Sequence, residues 1–324
     1  MDTIKMASKN KRRNIILSVI AVIEIVALII FGVYSWIESA EDVGAQGENL
    51  KLASSPGLII RLSDGSETNT VNINNFLGDS TGDFILAEAS SVDANTIFLR
   101  HSSSFSGGEI VRTYRQAVSN DDSNVRYIDI SFQVLATSGT TPVYFAPYDN
   151  SSGTDQGTYL KLVDDNGRNT YATDAIRVGV SFDNGATFKI FSTFDTRPLA
   201  SYENAYISSY DSITTNGGAI HAIDNDGNVL ASGGFADQII YPFEYSMYDS
   251  SKSTTYNLNH ALTVIRDGEA KDVVVRVWLE GQDENCVDEI SASNLSFQIY
   301  FTTAYENTYS FTDADYEAYF AAQG

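Results

Sequence analysis

Apolar and polar residues alternate with period two along several stretches of the chain, the pattern of strands with one buried face. Over 127–134, Ile128, Ile130, Phe132 and Val134 share one face, and Tyr127, Asp129, Ser131 and Gln133 the other. Residues 175–182 set Ile176, Val178, Val180 and Phe182 against Arg177, Gly179 and Ser181. Residues 272–279 set Val273, Val275, Val277 and Leu279 against Val274, Arg276 and Trp278. Residues 295–302 set Leu295, Phe297, Ile299 and Phe301 against Ser296, Gln298, Tyr300 and Thr302. Asn184-Gly185 predicts a tight hairpin, because both residues tolerate positive φ. Asp64-Gly65, Asn166-Gly167, Asp226-Gly227 and Asp267-Gly268 are similar turn signals. With almost no helical periodicity, this pattern predicts an all-β chain: an antiparallel β-sandwich of jelly-roll type.

Three stretches depart from it. The apolar run Ile15–Ile37 follows Lys5, Lys9, Lys11, Arg12 and Arg13 and precedes Glu38, Glu41 and Asp42. As a helix it spans roughly 35 Å, enough to cross a hydrocarbon core of about 30 Å. Residues 196–260 are rich in Ser, Tyr, Asn, Asp and Gly and read as long loops inserted in the sandwich. Near the C-terminus, Thr312 stands as a cap with Asp315 three positions on, and Tyr316, Tyr319 and Phe320 follow at helical spacing. The predicted layout is a basic segment 1–14, a transmembrane helix or signal peptide 15–37, a linker 38–55, a sandwich 56–308 with the irregular insertion at about 196–260, and a helical tail 309–324.

Charge gives this layout a direction. The chain carries a net −22. Its first 45 residues hold five basic groups and five acids, so the whole surplus belongs to 46–324. Basic residues before the run place 1–14 in the cytoplasm and the acidic body outside. The run is either a retained anchor or a cleaved leader. Its length favours retention, whereas Val33-Tyr34-Ser35 and Val43-Gly44-Ala45 offer small residues for a signal peptidase. Glu24, inside the run, is either a protonated acid in a strong span or a point of lateral association. So acidic a body excludes general nucleic-acid binding, which needs a basic face.

Few residue patterns carry chemistry. His101, His221 and His260 fit neither HExxH nor an i, i+4 pair, and no G-x-S-x-G elbow, Walker loop or dinucleotide fingerprint occurs. Two acidic clusters are candidate sites for calcium, the one cofactor considered. Asp224, Asp226 and Asn228 alternate around Gly227, in a spacing that matches no EF-hand register; the plain reading is a hairpin turn. Glu280, Asp283, Glu284, Asp288 and Glu289 surround Cys286; the plain reading is a solvated turn. Cys286 is the single cysteine, which excludes an intrachain disulfide. Tyr202, Tyr206, Tyr210, Tyr241, Tyr245, Tyr248 and Tyr256 offer stacking faces for a glycan.

Several blocks resemble a known group. The leader ending in Tyr34-Ser35-Trp36 resembles the alternate signal peptides handled by SipW-type signal peptidases. The stretch Val275-Arg276-Val277-Trp278-Leu279-Glu280-Gly281, with Asp283, Cys286, Asp288 and the strand Leu295–Phe301, resembles a C-terminal block of Gram-positive exported proteins. Gly57–Arg61 and Ile176–Val180 look like further blocks of the camelysin/TasA-like matrix proteins. The resemblance implies a jelly-roll ectodomain in extracellular fibres or biofilm matrix, in which an N-terminal strand of one subunit completes the sheet of the next. The matching segment is Leu58-Ile59-Ile60-Arg61-Leu62. Camelysin is described as a metallopeptidase, but no metal-ligand motif is present here to carry that over.

The sequence thus points to a non-enzymatic, exported cell-surface or matrix structural protein assembling by strand addition. Its partners are the bilayer, a signal peptidase and copies of itself. A surface adhesin binding glycans is the alternative, and a camelysin-like metallopeptidase the third.

Overall fold

The chain divides into two compact units, residues 1–42 and Val43–Gly324. The computed structural model describes residues 44–47, 50–73, 85–106, 109–117, 127–137, 139–164, 171–193, 206–208, 218–223, 229–232, 238–283, 285–286, 293–303 and 311–323. The apolar run 15–37 lies outside them. Among the described residues no helix is long and apolar enough to cross a membrane.

These residues form twenty strands. The first ten are β1 (Gly44–Gly47), β2 (Lys51–Ser54), β3 (Leu58–Arg61), β4 (Glu67–Thr68), β5 (Thr70–Asn72), β6 (Ile85–Ser90), β7 (Phe98–Ser106), β8 (Glu109–Gln116), β9 (Ile128–Ala136) and β10 (Thr141–Phe145). There follow β11 (Tyr159–Asp164), β12 (Ile176–Ser181), β13 (Lys189–Ser192), β14 (Tyr206–Ser208), β15 (Gly218–Ile223), β16 (Val229–Ser232), β17 (Gln238–Pro242), β18 (Thr263–Ile265), β19 (Ala270–Glu280) and β20 (Ser293–Thr302). Two helices complete the set, α1 (Thr254–His260) and α2 (Asp313–Gln323).

Most of the strands make two facing sheets, and β18 pairs with β10 beside them. In the first, β20 is the spine, with β10 and β11 on one edge and β1 and β2 on the other; β6 and β5 lie beyond these. The second runs β4–β3–β9–β19–β12–β13–β17–β14. A wing, β6–β7–β8–β15–β16, joins it where β6 meets the end of β19. The core lies between the sheets: Phe301 of the first is 6.0 Å from Phe132 of the second, and Phe145 is 4.9 Å from Phe191. Each such fully buried side chain stabilises the fold by about 1.5–3 kcal/mol.

The period-two reading holds for β9 and β20, whose burial alternates along their length. It is incomplete for β12 and β19. All of β12 is buried, and Arg177 and Trp278, on the expected polar faces, are buried too. Residues 89–97 cover the back of that sheet, where Ala89, Ala94, Ile97 and Trp278 form a second small core. The expectation of purely antiparallel pairing is corrected: β1 and β2 run parallel to β20, β13 to β17, β15 to β8, and β6 to β19. Alternation reports which face is buried and is silent on the direction of the partner.

Local signals behave as physics requires. Asn184 and Gly185 have φ of 58° and 82°, both left-handed as expected, but they turn the chain inside a longer loop between Ser181 and Lys189, so the tight two-residue hairpin expected there is corrected to a wider one. Thr312 and Asp315 exchange bonds at the start of α2: Thr312 N–H donates to Asp315 Oδ2 at 2.8 Å, and Asp315 N–H to Thr312 Oγ1 at 3.3 Å. The helix docks on its own body, with the Arg266 guanidinium 3.6 Å from the centre of the Phe320 ring. The stretch 196–260, expected as loops, carries β14 to β17 and α1 in its described parts. β14 and β16 are too short for alternation to register, and β15 and β17 do not alternate apolar with polar residues regularly. Part of the expected linker 38–55 is β1 and β2.

Candidate functional site

The first described segment lies along the last long strand. Gln46 and Gly47 stand opposite Asn294 and Leu295, and Lys51 to Ser54 opposite Gln298 to Phe301. On its other side, β1 pairs with β6 and β2 with β5. Ser55 N–H donates to Phe301 O at 2.9 Å, and Ile73 N–H to Leu50 O at 2.9 Å. Leu50 and Leu52 are fully buried against the inward row Leu295, Phe297, Ile299 and Phe301. The strands β1 and β2 therefore fill a groove between β20 and β5/β6. Lifted out, they would leave two edges of unpaired N–H and C=O groups and an open strip of core.

The segment Leu58-Ile59-Ile60-Arg61-Leu62 sits elsewhere. Its strand pairs with β9 on one edge and β4 on the other, in the second sheet. Leu58 and Ile60 point into the core, and Arg61 pairs with Glu67 at 2.7 Å. Asn69 Nδ2 donates to Leu58 O at 2.9 Å and to Ser54 Oγ at 3.1 Å, pinning the turn between β2 and β3.

The acidic cluster near Cys286 is in part a buried polar seam. Glu280, Gln282 and Asp283 are all buried. Trp278 Nε1–H donates to Glu280 Oε2 at 3.0 Å, and Ser91 N–H to the same oxygen at 3.3 Å. Burial pushes the Glu280 carboxyl above its ordinary value, although Arg177 nearby favours the charge. Asp283 pairs with Arg177, whose Nε–H donates to Gln238 Oε1 at 2.8 Å. Beside it, Glu88 accepts from both Arg100 and the Tyr114 hydroxyl. A Cβ on Gly281 would lie 2.2 Å from Glu88 Cγ, so only glycine fits there. Burial drives the Tyr114 phenol well above its usual range. Several of these bonds cross between strands, and the seam ties β6, β7, β8, β12 and β17 to the end of β19 and the turn after it. Sequence reading missed Arg177, Glu88, Arg100 and Tyr114 in this role; the one signal was an arginine in an otherwise apolar strand.

Of the candidate calcium ligands, Asp283 is taken: Oδ2 by Arg177, and Oδ1 by Asn285 N–H at 2.9 Å. Asp224, Asp226, Asn228, Glu284 and Asp288 lie outside the described residues. Among the described residues no three His, Cys, Asp or Glu side chains are grouped to hold a metal. The histidines fall on three separate elements, His101 on β7, His221 on β15 and His260 at the end of α1. Cys286 is half-buried and packs against the main core. Of the expected aromatic residues, Tyr241 and Tyr245 lie 4.4 Å apart, and Tyr245 and Tyr256 flank His260 at 4.4 and 3.9 Å. Tyr248 stands instead 5.7 Å from Tyr144, Tyr206 begins β14, and Tyr202 and Tyr210 lie outside the described residues.

The architecture defines an all-β protein built from two packed, mixed sheets. No protein-family model, no curated protein and no solved structure matches the chain.

Proposed function

We propose that this chain is an exported, non-enzymatic structural protein of the cell surface or extracellular matrix, joining copies of itself by strand addition. The single observation that carries the reading is the placement of β1 and β2, which lie between β20, from far along the chain, and the nearer β5 and β6. The exchanged segment in this reading is Gly44–Ser54 rather than Leu58–Leu62. It begins the second compact unit, so it can leave without dragging another described strand with it. Leu58–Arg61 is held between two strands of the opposite sheet. Backbone pairing supplies affinity, and the pockets for Leu50 and Leu52 supply register. The reading takes the sandwich as jelly-roll-like and residues 15–37 as leader or anchor. The resemblance to camelysin/TasA-like proteins supports it, and so does the charge of −22, which keeps free copies apart until salt or calcium screens them.

The test is electron microscopy of the full chain with and without calcium, beside a variant that staples the strand at home. Ala53 and Tyr300 are register partners on adjacent strands, so Ala53→Cys with Tyr300→Cys places two thiols within disulfide reach. Filaments are expected from the unmodified chain, none from the oxidised staple, and filaments again on reduction. Monomers under every condition, or filaments from the oxidised staple, overturn the reading.

A further inference from the structure

A loop between β10 and β11 builds a second feature, independent of the first strand. Asp149 and Gln156 bond reciprocally across it, at 3.0 and 2.8 Å. Gly157 closes its base with φ of +77°, and a Cβ there would lie 1.9 Å from Pro147 O. The loop is thereby pressed down on its own stem. Its side chains alternate: Tyr148 and Asn150 line a cleft of about 610 Å3 on one side, and Asp149 lines a cleft of about 500 Å3 on the other. Each has the volume of a small-molecule site.

The first cleft is aromatic and polar at once. Tyr148, 41% exposed, stands 6.0 Å from Tyr159 at 63°, making a corner of two rings. Lys161 Nζ lies 4.8 Å from one ring centre and 5.5 Å from the other. Asp155 Oδ1 accepts from the Tyr148 hydroxyl and from Lys161, both at 2.6 Å, so the exposed ring is held rigidly. The hydrogen bond from Lys161 keeps the Asp155 carboxyl below its ordinary value. Asn150 and Glu244 add an amide and a carboxylate to the lining.

We infer that this cleft binds a neutral oligosaccharide. A pyranose ring has an apolar C–H face, which suits a fixed aromatic ring, and a rim of hydroxyls, which needs donors and acceptors together. Lys161, Asn150 and Glu244 supply both. An anionic ligand is opposed by the net −22 of the chain. A purely apolar ligand would leave the lysine and carboxylate without hydration. The second cleft, across the same loop, gives an extended chain of sugars a place to continue. The inference does not depend on assembly by strand addition.

The experiment is saturation-transfer NMR on the full chain in a sugar-free zwitterionic detergent, with chitotetraose, cellotetraose, maltotetraose and tetragalacturonate as probes. At least one neutral tetrasaccharide is expected to receive saturation. Tyr148→Ala and Asn150→Ala, both at exposed positions, are expected to weaken it about tenfold, some 1.4 kcal/mol. Tyr148→Phe, which keeps the ring, is expected to stay within about twofold. Circular dichroism checks the fold of each variant, and Asn150→Ala decides if Tyr148→Ala is misfolded. No binding of any neutral probe, binding unaffected by the alanine changes, or preference for the anionic probe overturns the inference.

Discussion

Arg177 and Asp283, 106 positions apart in the chain, form an ion pair in which each side chain is only 1% exposed. Neither charge has water to fall back on. Asp283→Ala should therefore cost about 3–5 kcal/mol, because it strands the guanidinium in the interior. Replacing both, Arg177→Met with Asp283→Leu, should recover most of that loss. Guanidinium chloride unfolding, followed by the fluorescence of buried Trp278, measures both. Equal losses in the single and double variants would show that the pair does not act as a unit.

Gly281 sits where a side chain would meet Glu88 at 2.2 Å and the Tyr114 hydroxyl at 2.6 Å. Gly281→Ala is expected to cost about 1–3 kcal/mol through overpacking. Differential scanning calorimetry would register it as a lowered Tm. An unchanged Tm would mean that the seam yields without cost.

Glu280 makes stability depend on pH in an unusual direction. Its carboxyl is raised by burial, so the folded state holds a proton that the unfolded state has released. Through Glu280, stability is therefore greatest below the ordinary glutamate range near 4.5 and falls as pH rises through the folded value. Exposed acids work oppositely. Asp155, held down by Lys161, adds stability above its ordinary value near 3.8 that is lost as pH falls. Glu280→Gln isolates the first effect. Relative to the unmodified chain, the variant should gain stability steadily from pH 4 upward and then level off. A flat difference across denaturant titrations at pH 4, 5, 6 and 7 contradicts this.

Thr312 and Asp315 cap α2 reciprocally. Thr312→Ala should weaken the helix by about 0.5–2 kcal/mol. Faster amide hydrogen exchange across residues 313–323, with β19 and β20 unchanged, is the expected reading. Exchange at the original rate would show that docking through Arg266 and Phe320 alone holds the helix.

Much of the body was legible from local pattern. The alternations of β9 and β20, the left-handed turn at Asn184-Gly185 and the cap at Thr312 each rest on residues within a few positions of one another. β1 and β2 were not legible, because four residues each are too few to show a period. The strands of 206–242 escaped because they are short or lack a regular alternation. The seam escaped for another. Glu280 and Asp283 look like a solvated acidic turn until Arg177, Gln238 and Ser91 arrive from other strands. The exposed Tyr148 cleft depends on a loop whose only local sign is a pair of glycines, Gly153 and Gly157.

By itself, the sequence determined that this chain is built of strands, which faces of β9 and β20 are buried, where several turns fall, and that the body is anionic. These properties follow from side-chain polarity and backbone freedom over short distances. Tertiary structure alone decided that the first strand lies parallel to the last, that Arg177 neutralises Asp283, and that Tyr148 is braced open beside a cleft. Each of those depends on which distant segment arrives alongside, a choice made by the fit of the whole core and carried by no single stretch of the chain.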